Sequence, residues 1–493
     1  MRASGILLHL SSLPGDYGIG TMGKRAFEFV DFLAAAGQKY WQILPLSPTG
    51  YGNSPYLAFS TFAGNPYFID PALLQEEGLL TKEELAGFTW GEDPLRVDYG
   101  LVYRERKQLL DLAFRRFSPE GNEEYRQFVN RCRDWLEDYA LFMALKEKYG
   151  GASWQTWPIS LMMGLPEALK EFRVALDERI RFQYFLQFEF HRQWFALRSY
   201  ANEKGIRIIG DVPMYLPLDS AEVWANPELF QLTLSRRPRL VAGCPPDSIY
   251  EKGQTWGNPL YNWENLKADG YDWWIRRLKA AGRLYDMVRL NHFHGFVRYW
   301  AIPVEEGIPQ KGSWIQGPGK DFTDTVRKRL PKVEFIADDL GGLNSGVEEL
   351  EKSGGYPGMR VVQYAFDSRG TGVYAPDLYP EDSVCYSSIH DDPPLKHWLE
   401  NASEADRELA KSRLGLNEGE GPIWGMIRGG MASRSRLCIV QMQDYLELGE
   451  EARMNRPGTQ SEDNWAWRAR KESFSPELAK RIAGLTAQTG RNS

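Results

Sequence analysis

Side chains that can carry acid, base or nucleophilic chemistry follow several short apolar stretches of this sequence. The stretch 284–300, for example, begins apolar and turns polar at Arg289, Asn291 and His292. The polar residues that end such stretches are His9, Asp211, Arg289 with Asn291 and His292, Asp338 with Asp339, His390 with Asp391, and Gln441 with Asp444. One polar strand end can simply cap a neighbouring loop, but the repetition of the pattern indicates groups presented to a ligand.

Carboxylates and imidazoles that converge on one place suit the cleavage or transfer of sugars. Retaining sugar chemistry uses two carboxyl groups about 5–5.5 Å apart, one as nucleophile and one as acid/base. Five of the six histidines lie at or just beyond the polar ends, namely His9, His292, His294, His390 and His397. A metal site is the competing interpretation. It is weaker because the sequence has no HExxH motif, and we expect no metal.

Eight apolar segments alternate with helical patterns along the chain, which predicts an α/β fold of the (β/α)8 barrel type. The predicted strands cover 5–10, 40–46, 205–217, 284–300, 335–340, 359–366, 383–392 and 437–446. In such a barrel the carboxyl ends of all strands meet at one mouth, where active groups gather. The rival is a doubly wound open sheet. Its dinucleotide-binding version would show a Gly-rich phosphate fingerprint after a strand, and none follows.

Two long segments do not fit the strand–helix alternation. Residues 71–204 show amphipathic helical patterns without a barrel-like strand, so we expect a largely helical insertion between strands 2 and 3. A separate helical domain would produce nearly the same pattern. Residues 214–283 are rich in loop signals, and we expect a second insertion there, between strands 3 and 4. The whole chain, 1–493, is then a single barrel.

Charge and cysteine usage exclude several classes of protein. The formal charge is −7 with scattered Lys and Arg, which argues against nucleic acid or anionic membrane as a partner. No run of about 18 apolar residues suggests a membrane span, and no signal peptide is visible. The four cysteines, Cys132, Cys244, Cys385 and Cys438, have no paired spacing. We therefore expect reduced thiols and a cytoplasmic location.

Aromatic residues are abundant, at 13% of the chain with 17 tryptophans. They could fill large hydrophobic cores or form stacking surfaces, which sugar rings use because their C–H faces pack on aromatic planes. Tyr56 and Trp256 lie in Gly-rich loops, which favours ligand stacking. Trp41 lies inside a predicted strand, which favours core packing.

Several long strings resemble the amylomaltases, the 4-alpha-glucanotransferases of glycoside hydrolase family 77, and the resemblance covers nearly the whole chain. The strings are GILLHLSSLPGDYGIG, WQILPLSPTGYGNSPY, GDVPMYLPLDSAEVWANPELF, AGCPPD, GQTWGNPLYNW, GYPGMRVVQYAFDS, EEARMNRPGT and NWAWR. The resemblance implies a (β/α)8 barrel with inserted subdomains and no C-terminal β-domain. It also implies transfer of α-1,4-glucan segments between maltooligosaccharides, or to water, by double displacement without a cofactor.

Family motifs at three strand ends suggest the catalytic positions. The family's R-x-D-H-F-R-G-F, with Asp as nucleophile, is RLNHFHGF here, so that position holds Asn291 and the second Arg is His294. The family's A-E-D-L-G, with Glu as acid/base, is ADDLG here, so Asp338 takes that place. The family's T-G-T-H-D-N is SSIHDD here, which keeps His390 and the transition-state-stabilising Asp391.

The resemblance also implies substrate-binding positions. Those positions are Tyr56, Asp211, Asp247, Trp256, Arg289, His292, His390 and Asn455.

The changes at the nucleophile and acid/base positions predict impaired activity. A neutral amide is a poor nucleophile and cannot form the usual glycosyl ester. Asp338 is one methylene shorter than Glu, which retracts its carboxyl by roughly 1.5 Å. Misplacement of that order can cost about 100-fold in rate. Loss of the charge at Asn291 also removes stabilisation of an oxocarbenium-like transition state.

Three interpretations remain open. The chain is a natural paralogue that binds glucans but turns them over poorly, or an engineered trap. The changes at His294, Ile389 and Asp392 exceed what a trap needs. The third is a rearranged mechanism in which Asp211 or Asp391 replaces the lost carboxylate. The alternative to an enzyme is a non-catalytic protein that binds maltodextrin.

Overall fold

Eight parallel strands close into a barrel in a computed structural model that describes residues 2–246, 251–340, 345–368 and 375–492. In chain order the strands of the molecule are β1 (Ala3–Leu7), β2 (Tyr40–Gln42), β3 (Arg207–Val212), β4 (Leu240–Cys244), β5 (Gln254–Pro259), β6 (Met287–Leu290), β7 (Arg298–Pro303), β8 (Ser313–Gln316), β9 (Phe335–Ala337), β10 (Gly358–Val361), β11 (Ser383–Tyr386) and β12 (Leu437–Gln441). The barrel order is β1-β12-β11-β10-β9-β6-β3-β2. The predicted (β/α)8 fold is confirmed, and each predicted barrel strand overlaps one of these eight.

Helices cover the outside of the barrel and fill the long connections. They are α1 (Lys24–Ala35), α2 (Pro71–Glu76), α3 (Lys82–Ala86), α4 (Tyr99–Arg116), α5 (Glu123–Lys148), α6 (Ile159–Met162), α7 (Pro166–Ala175), α8 (Asp177–Glu203), α9 (Ala221–Ala225), α10 (Trp263–Ala268), α11 (Asp272–Leu284), α12 (Gly319–Arg329), α13 (Ser345–Gly354), α14 (Leu395–Asn401), α15 (Glu404–Leu414), α16 (Pro422–Ala432), α17 (Met442–Tyr445) and α18 (Pro476–Gln488). In the last of these, Ser475 caps the N-terminus by accepting from the Leu478 N–H.

Helices α2 to α8 all lie between β2 and β3 in the chain. The longest pair, α5 and α8, pack against each other and bury aromatic residues such as Phe128 and Phe188, whose rings lie 5.9 Å apart. None of the helices in the described part of the chain has the length and apolar character needed to cross a bilayer. The division into one barrel with insertions at 71–204 and 214–283 stays a prediction.

A second, antiparallel sheet in the order β5-β4-β7-β8 was not predicted. Two of its strands, β4 and β5, fall within 214–283, where Gly and Pro residues had predicted loops. The predicted strand 284–300 is in fact divided between the two sheets. β6 ends at Leu290, a tight turn follows, and β7 then joins the second sheet.

The turn between β6 and β7 explains why 284–300 is not the single strand that the sequence pattern predicted. His292 adopts a left-handed conformation with φ 56°, and a 3-10 turn follows at Phe293–Phe296. Gly295 permits the turn, because a Cβ there would lie 2.2 Å from Met214 Sδ. The prediction that His292 and His294 lie on one strand is therefore wrong, because both lie on a reversal of the chain.

The barrel closes by pairing its first and last strands. β1 pairs with β2 on one side and with β12 on the other. The buried Arg491 reinforces this seam, since its guanidinium donates to the backbone oxygens of Ala3, at 3.0 Å, and Ser433, at 3.0 Å. Trp41 packs in the core as predicted, fully buried, with its Nε1 donating to Leu8 O at 2.8 Å.

Candidate active site

A buried arginine joins three neighbouring barrel strands at the mouth. Arg289 lies on β6, in register with Asp211 on β3, and its side chain is only 3% exposed. Its Nη1 donates to Asp211 Oδ2, and its Nη2 donates to Asp338 Oδ2 at 2.8 Å. Asp338 comes directly after β9, the other neighbour of β6. The arginine therefore holds one carboxylate on each side of its own strand.

Asp338 is held by more than the arginine. Its Oδ2 also accepts from Asn291 Nδ2 at 3.1 Å and from the His292 backbone N–H at 3.1 Å. The other oxygen, Oδ1, accepts from the Leu340 N–H at 3.4 Å. Three donors thus converge on one oxygen, and the side chain at the nucleophile position is one of them. That contact fixes Asn291 as a hydrogen-bond donor to Asp338.

Tyr56 connects this cluster to a second one. Its hydroxyl donates to Asp211 Oδ2 at 2.8 Å. Its ring stacks on His390, with the centroids 5.1 Å apart and the planes 14° apart. Burial raises the pKa of Tyr56 well above its ordinary value, and the nearby Asp211 adds to this. Burial also raises the pKa of Asp211, although Arg289 opposes the shift.

The second cluster surrounds Asp391, just beyond β11. Asn455 Nδ2 donates to Asp391 Oδ1 at 2.6 Å, and Arg453 Nη2 donates to its backbone oxygen at 2.6 Å. His390 Nε2 lies 3.5 Å from the same Oδ1. Burial lowers the pKa of His390, with Asp391 acting in the opposite direction. The Asp391 side chain is 38% exposed, against 9% for Asp338 and 1% for Asp211. Of the three carboxylates it is the most open to a ligand.

Aromatic and imidazole rings form a wall beside Asp338. Trp256, on β5, packs edge-on against His292 with ring centroids 4.9 Å apart. Tyr215 lies 5.8 Å from the same imidazole. The rings of His292 and His294 lie 3.8 Å apart. Burial lowers the pKa of both histidines. The neighbouring His294 lowers the pKa of His292 further, whereas for His294 the Asp338 carboxylate opposes the shift and Arg298 adds to it. The wall is therefore uncharged near neutral pH.

The structure brings together most of the residues that the sequence singled out. Tyr56, Asp211, Trp256, Arg289, Asn291, His292, Asp338, His390, Asp391 and Asn455 all belong to the contacts above. Asp247 lies outside the described residues.

Two of the histidines that the sequence singled out, His9 and His397, are not among the contacts described above. His9 is buried, and its Nδ1 accepts from the Leu44 N–H at 3.3 Å. Burial lowers its pKa to about 3. His397 lies on α14, where it faces Glu450 at 3.7 Å. His9 therefore supports local structure at a strand end, and His397 belongs to a helix and not to a strand end.

Arg453 was not predicted as part of the site, and Asp444 was predicted only as a polar strand end. Asp444 accepts from Ser387 and Ser388 and from the Leu395 N–H, and so fixes the turn that carries Asp391. Arg453 holds the same turn from the other side. Arg453 could have been identified from the sequence, because it lies two residues before Asn455 in a string that matches the family.

A buried pair of carboxyls behind Asp338 predicts a pH-dependent stability. Asp339 accepts from the Met359 N–H at 2.7 Å and from Arg360 Nη1 at 2.7 Å. Burial, together with the neighbouring Asp339, raises the pKa of Glu351 to about 8. The folded state therefore retains a proton that the unfolded chain releases above about pH 4.5. This contribution to stability is lost as the pH rises toward 8.

We expect Glu351→Gln to remove that part of the pH dependence, because the amide carries no titrating proton. Urea unfolding at pH 5.5 and pH 8.5 measures the effect. The parent should lose on the order of 1–3 kcal/mol more than the variant between the two pH values. An equal loss in both proteins would show that Glu351 does not hold the proton.

Comparisons with known proteins identify the family of this chain and support its fold. The family profile described as 4-alpha-glucanotransferase, of glycosyl hydrolase family 77, matches residues 8–473. A 4-alpha-glucanotransferase of Clostridium butyricum is 43% identical over 486 residues, covering 98% of this chain and all of that protein. One of Thermus thermophilus is 45% identical over 501 residues, covering 99% of each.

Solved structures extend the comparison to the fold. The structure titled as amylomaltase from Streptococcus agalactiae in complex with acarbose superposes with a TM-score of 0.97 at 38% identity, over 100% of both chains. An amylomaltase from Corynebacterium glutamicum, at 19% identity and a TM-score of 0.78, shares the fold over 100% of this chain and 75% of its own. The resemblance inferred from the sequence strings is confirmed, and the chain belongs to glycosyl hydrolase family 77, the 4-alpha-glucanotransferases.

Proposed function

We propose that this chain transfers α-1,4-glucan segments between maltooligosaccharides by a retaining double displacement, at a rate lowered by Asn291 and Asp338. The observation that supports this most directly is that two carboxylates lie at the same mouth of the barrel. Asp338 and the relatively open Asp391 both lie there, linked through Arg289, Asp211, Tyr56 and His390. The second carboxylate of the usual pair is missing because Asn291 occupies its position.

In the proposed mechanism Asp338 is the acid/base. Protonation of the leaving oxygen requires a carboxyl oxygen that can reach it. Oδ2 already accepts three hydrogen bonds, so Oδ1 is the oxygen left to exchange a proton with the sugar. Since Asp338 is one methylene shorter than Glu, this oxygen reaches less far into the cleft. The hydrogen bonds to Oδ2 and the shorter side chain both slow protonation of the leaving oxygen.

Asn291 is proposed to occupy the nucleophile position without performing the usual attack. Its amide nitrogen donates to Asp338, which leaves the amide oxygen as the group that could approach the sugar. A neutral amide oxygen is a weak nucleophile and stabilises little positive charge. Formation of the covalent glycosyl–enzyme intermediate is therefore expected to be the rate-limiting step.

We propose that Asp391 stabilises the transition state and is also the candidate to replace the lost carboxylate. Its side chain is the most open of the three carboxylates and is oriented by Asn455. Asp211 is a poorer replacement, because its side chain is 1% exposed and is engaged by Arg289 and Tyr56.

The remaining site residues are proposed to hold the glucan. Trp256 and His292 present ring surfaces on which sugar rings can stack, and His390, Asn455 and Tyr56 lie beside Asp391. Asp247 stays in this set as a prediction. Because Asp211 and Arg289 are almost fully buried, we propose that they act on substrate binding indirectly, by positioning Tyr56 and Asp338. No cofactor takes part in this scheme, and the cytoplasmic location predicted from the cysteines is kept as part of the proposal.

Incubation with maltotriose followed by product chromatography tests the proposal. Transfer is expected to give glucose together with longer oligomers, slowly, whereas hydrolysis alone would give glucose and maltose. Calorimetric titration with maltoheptaose, run in parallel, measures binding without turnover. A chain that shows neither products nor heat would contradict the proposal.

A second candidate function is glucan binding without turnover. The hydrogen bond from Asn291 to Asp338 favours it, since that bond engages the acid/base carboxylate with the residue at the nucleophile position. Measurable binding of maltoheptaose, combined with no product from maltotriose over days, would select this candidate.

A further inference from the structure

The second sheet has an outward face that the proposed function does not use. Across its four strands, Thr255, Gly243, Trp300 and Trp314 lie side by side in register. Successive residues of a strand point to opposite faces, so Trp256 lies on the other face. That other face is the one directed at the site, where Trp256 packs against His292. The sheet therefore carries tryptophan on both faces.

The exposed end of the outward face is formed by Arg298, Trp300, Trp314 and Gln316, which we call the outer aromatic face. Arg298 and Gln316 are register partners next to the tryptophan pair. Trp314 is 42% exposed, which is high for so large an apolar side chain. The Arg298 guanidinium lies 4.4 Å from the centroid of the Trp314 ring.

Trp300 is fixed in place beneath Trp314. Its Nε1 donates to Pro309 O at 2.9 Å, and Gly312 packs so closely that a Cβ there would lie 2.3 Å from Nε1. The two indole rings meet edge to face, with their centroids 5.2 Å apart. A rigid lower ring thus holds the exposed ring in one orientation. Such pre-organisation lowers the entropy that a ligand must overcome.

We propose that the outer aromatic face binds a stretch of α-1,4-glucan that extends beyond the active site. The exposed part of the Trp314 indole offers apolar surface to the C–H groups of a glucose ring. Arg298, which lies over the indole, and Gln316 offer hydrogen-bond donors to the hydroxyls of the glucose. The choice of glucan as the ligand rests on the proposed function.

Continuity with the site supports the same ligand. β5, which carries Trp256, and β8, which carries Trp314, are separated by three strand spacings in one sheet. At about 4.8 Å for each spacing, the two strands lie roughly 14 Å apart. Because Trp256 and Trp314 lie on opposite faces, a glucan that contacts both must also pass around the edge of the sheet, so it must be longer than maltotriose. Contact at both places raises the effective concentration of long glucans at the site and leaves short ones unaffected.

Native gel electrophoresis in gels that contain glycogen tests this proposal in the full chain. The parent is expected to be retarded by glycogen, and Trp314→Ala to reduce that retardation several-fold. Trp314→Phe, which keeps a ring, should retain most of it. Ile159→Ala removes an exposed apolar side chain elsewhere and serves as the matched control. Thermal unfolding of each variant confirms that it is folded.

Maltotriose distinguishes the outer aromatic face from the cleft. Its binding and its turnover, whatever the rate, should be the same in Trp314→Ala and the parent. A parent that is not retarded by glycogen, or a Trp314→Ala variant retarded as strongly as the parent, would overturn the proposal. So would equal losses toward glycogen and maltotriose. If the parent turns over no maltotriose but loses glycogen retardation with Trp314→Ala, the proposed transfer fails and this inference stands.

Discussion

The double variant Asn291→Asp, Asp338→Glu is expected to transfer glucan at least about 100-fold faster than the parent, measured as the initial rate of glucose release from maltotriose. Asp at 291 supplies an anionic nucleophile and a charge that stabilises the transition state. Glu at 338 returns the carboxyl to the reach that the family uses. Both changes act on the chemical step, so kcat should rise far more than KM falls.

The two single variants serve as controls. Asn291→Asp alone replaces a donor, 3.1 Å from Asp338 Oδ2, with a second carboxylate, and like charges at that distance oppose each other. Asp338→Glu alone leaves no anionic nucleophile. We therefore expect each single change to recover much less than the double one. If the double variant is as slow as the parent, the impairment lies in other changed positions, such as His294, Ile389 or Asp392.

Arg289→Met is expected to destabilise the protein by about 3–5 kcal/mol, measured as the free energy of unfolding in urea. The methionine has a similar length but no charge, so Asp211 and Asp338 would stay buried without the cation that bonds both. Removal of one partner from a buried ion pair leaves an uncompensated charge, which is far more costly than the loss of a surface pair.

The matched control for this effect is an exposed pair. Arg434 bonds Glu381 at 2.6 Å, but both side chains are largely in solvent. Arg434→Met should therefore leave the unfolding midpoint almost unchanged. If Arg289→Met shifted the midpoint no more than this control, the central arginine would not be the residue that holds the two carboxylates together.

The barrel could be predicted from the sequence because its strands obey one simple rule. Each is a short apolar run that ends in polar groups, as at Ile336 and Ala337 before Asp338. Burial on both faces produces the apolar run, and the shared mouth produces the polar end. The exact bounds were less predictable, since β2 ends at Gln42 although its apolar pattern continues to Leu46.

The second sheet could not be predicted by the same rule. β5 and β8 are largely exposed or half-buried, and glycine or proline occurs in β4, β5 and β7, so the sheet lacks the long apolar run of a barrel strand. Their pairing also depends on the reversal at His292, which is fixed by the close approach of Gly295 to Met214. Such a contact between distant parts of the chain leaves no periodic signal in the sequence.

The site was predictable as a set of residues but not as a set of contacts. Strand ends and family strings identified Asn291, Asp338 and Asp391 without showing which groups touch. The hydrogen bond between Asn291 and Asp338 depends on two neighbouring strands, and the exposure of Asp391 depends on the turn that Asp444 and Arg453 hold. Pairings across strands follow from three-dimensional packing, which motif spacing does not encode.

The pairing of β1 with β12 has a consequence for how the chain folds as it leaves the ribosome. Roughly 430 residues separate the two strands in sequence, so one edge of β1 stays without its partner until those residues have been made. At about 5–20 residues per second, that interval is roughly 20–90 s. An open strand edge invites pairing with other chains during this time. Newly made molecules are therefore expected to depend on chaperones until Arg491 emerges and the barrel is sealed.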